Sequence, residues 1–257
     1  MKRAIIGGTG FYDMGYLEEL RARIVRTPFG SASVFSGRYQ GEPLVFLPRH
    51  GPEHNRLAHE INYRANIWAL RELGIERILG TSAIGSLNTA MQVGHLVILE
   101  QLVDFTKHRH ETFNLGSVDF TYPYCSETRA TILQQALALR IDVHPRATYL
   151  TVEGPRYETA AEIALWRRLG MDVVGMTNGT EAALARELGI CYAVIGLVSD
   201  LAAGMQETPP DLQMHRRIVE DNLPRLRELA LTALAALPSS RGCACASQAA
   251  KPTRKNG

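Results

Sequence analysis

No apolar run in this chain approaches the ~18 residues needed to span a membrane as a helix, so a helical membrane protein is excluded. Cysteine is scarce: four residues in 257 cannot make a disulfide framework at this size. Neither sign of charge dominates. The net charge is +2, and Lys and Arg are scattered singly beside acids, as at Arg71, Glu72, Glu76 and Arg77. With no basic stripe, a nucleic-acid binder is disfavoured. No internal repeat is found. The first strand-like run begins at Ala4 with no leader pattern before it, so no signal peptide is expected and the expected compartment is the cytoplasm.

What is present is the composition of a globular protein, 46% apolar and 21% charged, long enough for one large domain or two small ones. Strand-like runs lie at 4–7, 33–36, 44–47, 77–84, 95–99, 147–151, 172–174 and 191–198. Helix-like runs lie at 60–73, 127–139, 160–169, 181–188 and 211–237. The last carries an apolar stripe through Leu223, Leu226, Ala230, Ala233, Leu234 and Leu237, and Pro224 within it predicts a kink or break near Asn222. Alternation of this kind predicts an α/β fold with a mostly parallel sheet and helices on both faces. The segment 104–121 has three aromatics, two His and little periodicity, and reads as a long functional or interface loop. Residues 1–237 form the expected domain, and 238–257 are expected to be a disordered tail.

Among the cysteines, Cys125 and Cys191 stand alone, and Cys191 lies in an apolar run that suggests core packing. Cys243-Ala244-Cys245 is a close pair, either a redox couple or part of a plain tail. A metal site would need further ligands, and none follow in 246–257, so no metal is expected.

Chemistry collects at strand ends. The first strand stops at Gly7-Gly8-Thr9-Gly10, where glycines free the backbone for a turn whose N–H groups, with the Thr9 hydroxyl, can wrap an anion. Such a turn also occurs in α/β proteins with no ligand there. Pro48-Arg49-His50-Gly51 puts a cation and an imidazole at a second strand end. In parallel sheets, ligands gather at the carboxyl ends of strands. Gly80-Thr81-Ser82-Ala83-Ile84-Gly85-Ser86 adds hydroxyls, and Gly175-Met176-Thr177-Asn178 opens a helix. Thr177 can be a simple N-cap or an anion ligand. Val198-Ser199-Asp200 closes a buried run on a carboxylate that is costly there without a partner or ligand. Together, Thr9, Arg49, Ser82 and Thr177 predict an oxyanion rim, most simply for phosphate.

With Ile61-Asn62-Tyr63-Arg64-Ala65-Asn66-Ile67-Trp68-Ala69-Leu70 and Glu153-Gly154-Pro155-Arg156-Tyr157 added, the series resembles the methylthioadenosine and methylthioinosine phosphorylase branch of the trimeric purine nucleoside phosphorylases. The likeness runs in order from about Ala4 to Leu237. It implies a single-domain α/β fold with a mixed, mostly parallel central sheet. It also implies a homotrimer or a dimer of trimers, and cleavage of an N-glycosidic bond by inorganic phosphate as co-substrate, without metal or organic cofactor. Carried over, it places Thr9, Arg49, His50, Ser82, Ala83 and Thr177 around phosphate, Met176 under the ribose, Tyr157 against the purine and Asp200 at N7. Breaking the C1′–N9 bond leaves electron density on the purine, so a group sharing a proton at N7 improves the leaving group.

Two positions qualify the base. Asp200 is of the adenine type, and a carboxylate accepts readily from a 6-amino group. Ala202 and the Ala-Ala-Gly stretch are of the 6-oxopurine type. The carboxylate makes methylthioadenosine the expected substrate, with methylthioinosine or another 6-oxopurine nucleoside the alternative. At the 5′ end, the resemblance puts Leu212 where a hydroxyl-binding His would otherwise stand, which suits a methylthio group. His215 lies one turn on, where a slip of three would bring it into that place; the commoner role is that of an exposed helical residue. The segment 104–121 is the candidate for completing a neighbour's 5′ pocket. A hydrolytic nucleosidase would have no use for the anion rim. A dinucleotide-binding dehydrogenase would need a glycine where Asp13 stands. A non-catalytic nucleotide binder would leave Asp200 unexplained.

Overall fold

The longest buried strand, β5 (Ile75–Ser86), organises the molecule. In the computed structural model, which describes residues 2–8, 11–208 and 211–251, almost every side chain of β5 is out of water. Its unbroken apolar run is what a central strand covered on both faces requires. Its first half is flanked by β1 (Lys2–Gly7) and β11 (Cys191–Leu201), both parallel to it. Its last residues also pair, antiparallel, with β10 (Val173–Gly175). From β1 the sheet continues through β4 (Glu42–Pro48), β3 (Gly30–Tyr39) and β2 (Glu18–Thr27). From β10 it continues through β9 (Thr148–Thr151) and β7 (Gln101–Asp104). From β11 it continues through β6 (Leu96–Ile98) and β8 (Val143–His144). Parallel pairings outnumber antiparallel ones six to four, as the alternating pattern predicts.

Helices cover both faces. α1 (Tyr63–Glu72) and α4 (Asn178–Glu187) pack Ile67, Leu70, Leu184 and Ala185 on one side. α2 (Ser126–Leu139) and α5 (Leu212–Ala236) pack Ile132, Ala136, Leu229 and Leu234 on the other. α3 (Ala160–Arg168), opened by a Thr159–Glu162 capping box, sets Ile163 and Trp166 against Leu150 and Val174.

Three strands escape the sequence pattern. β2 is exposed along most of its length, pairs among the described residues only with β3 and is rich in Glu and Arg, so no apolar alternation marks it. β7 and β8 have four and two residues, too short to carry a period. Of the expected kink or break near Asn222, a break is not found: α5 is one helix across Pro224. Asn222 Nδ2 donates to the Ile218 carbonyl at 2.8 Å, and Arg225 ties Asn222 to the Gly94 carbonyl. The segment 104–121 is irregular as expected, but it is clamped by two carboxylates. Glu153 accepts the N–H groups of Lys107 and His108, and Glu187 those of Phe113 and Leu115.

The expected disorder of the tail is overturned for residues 238–251. Fully buried Arg77 donates to the Ser240 carbonyl at 2.9 Å, Gly242 N–H to Glu127 at 3.0 Å and Ala250 N–H to the Glu187 carbonyl at 3.0 Å. Cys245 is buried. Small residues held by backbone bonds leave no hydrophobic period to read.

Candidate active site

Arg49 follows β4 directly and Gly8 follows β1, two adjacent parallel strands. Gly8 lets the two meet: a side chain there would stand 3.0 Å from Arg49 Nη1 and within 4 Å of the His50 ring. Thr9 itself lies outside the described residues. The guanidinium is buried, with Nη1 donating to the Thr81 carbonyl at 2.7 Å. Nε and Nη2 donate to the two oxygens of Glu181 at 2.6 and 2.9 Å. Arg49 thus has a structural partner in Glu181. Its mate comes from the first turn of α4, where an acid also suits the helix dipole. Burial alone would lower the arginine pKa, but the Glu181 carboxylate outweighs it and raises it. Glu181 in turn accepts from Tyr192, whose oxygen accepts from Asn178.

His50 holds its ring by Nδ1, which donates to the Arg56 carbonyl at 2.9 Å. Burial, reinforced by the Arg49 charge, pushes its pKa down to about 4. The imidazole is thus neutral, with Nε2 an acceptor facing Gly8. An acceptor there suits an anion that still carries a proton, as monohydrogen phosphate does. Thr177 stands at the N-cap of α4, yet its hydroxyl makes no capping bond. Its position is that of a cap and its hydroxyl is not used as one. Ser82 and Ala83 lie within β5 rather than beyond its end, next to the carbonyl that Arg49 grips. Contacts among the described residues thus tie Gly8, Arg49, His50, the Thr81–Ser82 backbone and the Thr177 end of α4 into one locus.

Met176, one residue before Thr177, borders a second locus. Its sulfur fills the space above Gly154, where a Cβ would come within 2.6 Å and where the backbone has φ +70°. Beneath it, buried Arg109 donates to the Met176 carbonyl, to both the carboxylate and the carbonyl of Glu153, and to the Tyr63 hydroxyl. No pattern in the sequence signals this support, because its members come from four distant segments.

Asp200 owes its direction to a register shift between Val198 and Asp200 as β11 pairs with β5. Such a bulge re-aims the side chain that follows it. Ser199 Oγ donates to Asp200 Oδ1 at 2.6 Å, and His215 Nδ1 lies 3.4 Å from the same oxygen. Oδ2, on the Gly85 side, has no hydrogen-bond partner among the described residues and is the oxygen available to a ligand. His215 is therefore not the exposed helical residue expected; its side chain is 20% exposed and faces the site carboxylate. The side chain of Leu212, expected at the 5′ end, lies outside the described residues. Ala202 is buried, its N–H bonded to the Ser86 carbonyl. Tyr157 is half-buried near Asp200; burial first and that charge second raise its phenol. Its neighbour Glu158, which the sequence pattern does not single out, feels Asp200 too. Burial raises its carboxyl, and the Asp200 charge adds to the rise.

Arg49 and Glu181 thus form an enclosed charged locus, and Asp200 and His215 a partly exposed one. The sequence profile of the Phosphorylase superfamily matches residues 2–235, and the chain belongs to that family. It is 49% identical over 256 residues, covering 94% of this chain and 95% of the relative, to a protein of Thermococcus kodakarensis named "Probable 6-oxopurine nucleoside phosphorylase". It is 41% identical over 251 residues, covering 95% and 96%, to the S-methyl-5′-thioadenosine phosphorylase of Pyrococcus furiosus. A solved methylthioadenosine phosphorylase from Schistosoma mansoni, in complex with adenine, superposes with a TM-score of 0.90 at 32% identity, covering 94% of this chain and 93% of that one. Among the described residues, no helix is long and apolar enough to cross a membrane.

Proposed function

We propose that this phosphorylase cleaves 6-oxopurine nucleosides with inorganic phosphate, giving the free base and the sugar 1-phosphate. The base class rests on the similarity to the Thermococcus relative, with Glu158 a half-buried second carboxylate that feels the Asp200 charge. A 6-oxopurine leaving with a proton on N7 presents two donors, N1–H and N7–H. Carboxylate oxygens of Asp200 and Glu158 would be the matching acceptors. An adenine presents an acceptor at N1, which would face a carboxylate only if that group were protonated. The competing reading, methylthioadenosine, rests on Asp200 accepting from a 6-amino group, and the Pyrococcus and Schistosoma relatives support it.

In this reading phosphate waits at the Arg49, His50 and Thr177 locus while the purine lies along Tyr157, with the ribose over Met176. As C1′–N9 lengthens, charge grows on the base, and a proton shared between N7 and Asp200 Oδ2 stabilises it. Positive charge growing on the sugar meets the phosphate. Positioning and electrostatics carry the reaction. Thr9, Ser82 and Ala83 complete the phosphate shell, Ala202 leaves room at the base, and Leu212 borders the 5′ substituent. No metal or organic cofactor takes part in this chemistry. The working unit is a homotrimer or a dimer of trimers, with the 104–121 loop reaching the neighbour's 5′ pocket.

The test is base release from inosine, guanosine, methylthioinosine and methylthioadenosine with and without phosphate. Phosphate-dependent release fastest with 6-oxo substrates is expected. Phosphate-independent release would overturn phosphorolysis, and faster methylthioadenosine cleavage would overturn the base assignment.

A further inference from the structure

The four cysteines come from three distant stretches, yet their sulfurs all lie within 4.8 Å of one another. Cys125 caps the N-terminus of α2, Cys191 opens β11, and Cys243 and Cys245 come from the tail. All four are free thiols, with Cys191 Sγ 3.3 Å from Cys243 Sγ. Two separate disulfides would need only two close pairs. Here every sulfur approaches all three others, as four ligands of one ion must. A zinc ion held by four thiolates, with Zn–S near 2.3 Å, has sulfur–sulfur edges of about 3.8 Å, within the span seen. The Thr128 hydroxyl, buried in the first turn of α2, lies beside Cys125. A hydroxyl there is placed to donate to a metal-bound thiolate, the outer-shell support such ligands receive.

We propose that Cys125, Cys191, Cys243 and Cys245 bind a zinc ion that fastens the tail to the α2 and β11 termini. Soft thiolate ligands in a closed four-coordinate set select zinc over the harder divalent cations. The site is structural: all four coordination positions come from the protein, leaving none for substrate. The sequence concealed it because the ligands missing after residue 245 stand before it, 52 and 118 residues upstream of Cys243. Cys191 and Asp200 occupy opposite ends of β11, roughly 30 Å apart at the rise of an extended strand. The proposal is independent of the base and phosphate assignments.

The test begins with the full chain purified without chelator. Metal analysis should find about one zinc per chain. Cobalt replacement should give the thiolate-to-cobalt absorption of a tetrahedral sulfur site. Alkylation in denaturant with chelator and no reductant should label all four thiols. The Cys243→Ser/Cys245→Ser double variant should lose the zinc and melt roughly 5–10 °C lower, with activity within about twofold of the parent. Thiols that become reactive only after reductant would overturn the proposal in favour of disulfides. Four reactive thiols with no zinc retained, and no cobalt spectrum, would overturn it in favour of a plain thiol cluster. Both outcomes are measured on the parent protein, so they hold even if the double variant fails to fold.

Discussion

At the proposed phosphate end of the site, Arg49 and Glu181 expose 1% and 2% of their side chains, and each is held by several hydrogen bonds. At the proposed base end, Asp200 and His215 keep 14% and 20% of theirs in water and meet at 3.4 Å. The first region is finished before any ligand arrives. The second has one occupied carboxylate oxygen, one available oxygen, and Glu158 alongside. A fixed, dry network suits a co-substrate that never changes. A wetter region built from a few polar groups suits the part of the molecule where relatives differ in substrate, since replacing one acceptor by a donor there disturbs little else.

Arg49→Met should break the first region most severely. It strands Glu181 in the core, which costs about 3–5 kcal/mol of stability, and phosphate KM should rise steeply in whatever folds. Denaturant titration and phosphate kinetics read the two effects. If the variant does not fold, Arg49→Met with Glu181→Gln should recover much of the stability but not the phosphate affinity. Recovery of both would remove Arg49 from the phosphate shell.

Asp200→Ala should lower kcat by roughly 10²–10⁴-fold with little change in phosphate KM or Tm, because it removes proton sharing at N7 from a partly solvated region. Asp200→Asn sharpens the base assignment. An amide can donate to O6 while accepting from a protonated N7, so cleavage of 6-oxo substrates should be largely spared and that of methylthioadenosine damaged. The opposite ranking would favour the 6-amino reading.

The third prediction concerns pH. Folded His50 has its pKa pushed from 6.5 down to about 4, chiefly by burial. Between those values the unfolded chain binds a proton that the folded chain refuses. Stability contributed by the neutral ring is therefore complete above pH 6.5 and falls as pH drops toward 4, by ~3 kcal/mol in all. Denaturant unfolding across that range should show the slope, and His50→Gln should flatten it. An unchanged slope in the variant would assign the effect to other groups. Glu158→Gln should have the smallest effect, a loss of about 10–100-fold in kcat/KM for 6-oxopurine nucleosides, the value of one hydrogen bond to a charged group. Methylthioadenosine should be nearly unaffected. Equal losses on both substrates would mean that Glu158 shapes the loop rather than reading the base.

The residues that could be read from sequence share one property: their signal is local. β5 and β11 announce themselves because both faces are buried and the apolar run is continuous. The glycine turn, Arg49-His50 and Ser199-Asp200 stand out because polar groups interrupt such runs. β2 is hidden because an exposed edge strand has no buried face. The Arg49–Glu181 pair is hidden because 132 residues separate its members. Arg109 resembles any loop arginine until the fold brings Glu153, Tyr63 and Met176 around it. Glu158 sits among polar neighbours where nothing marks one acid from the next.

The extra residue in β11 before Asp200 has a consequence for how this site can change. Side chains on a strand alternate between faces, so the direction of Asp200 depends on a count of residues as well as on its own chemistry. Swapping the residue at position 200 alters what the base meets and leaves the surrounding backbone in place. Deleting or inserting a single residue between Leu197 and Asp200 would turn the carboxylate away and present Ser199 or Leu201 instead. Variation in this stretch is therefore tolerant of spelling and intolerant of length.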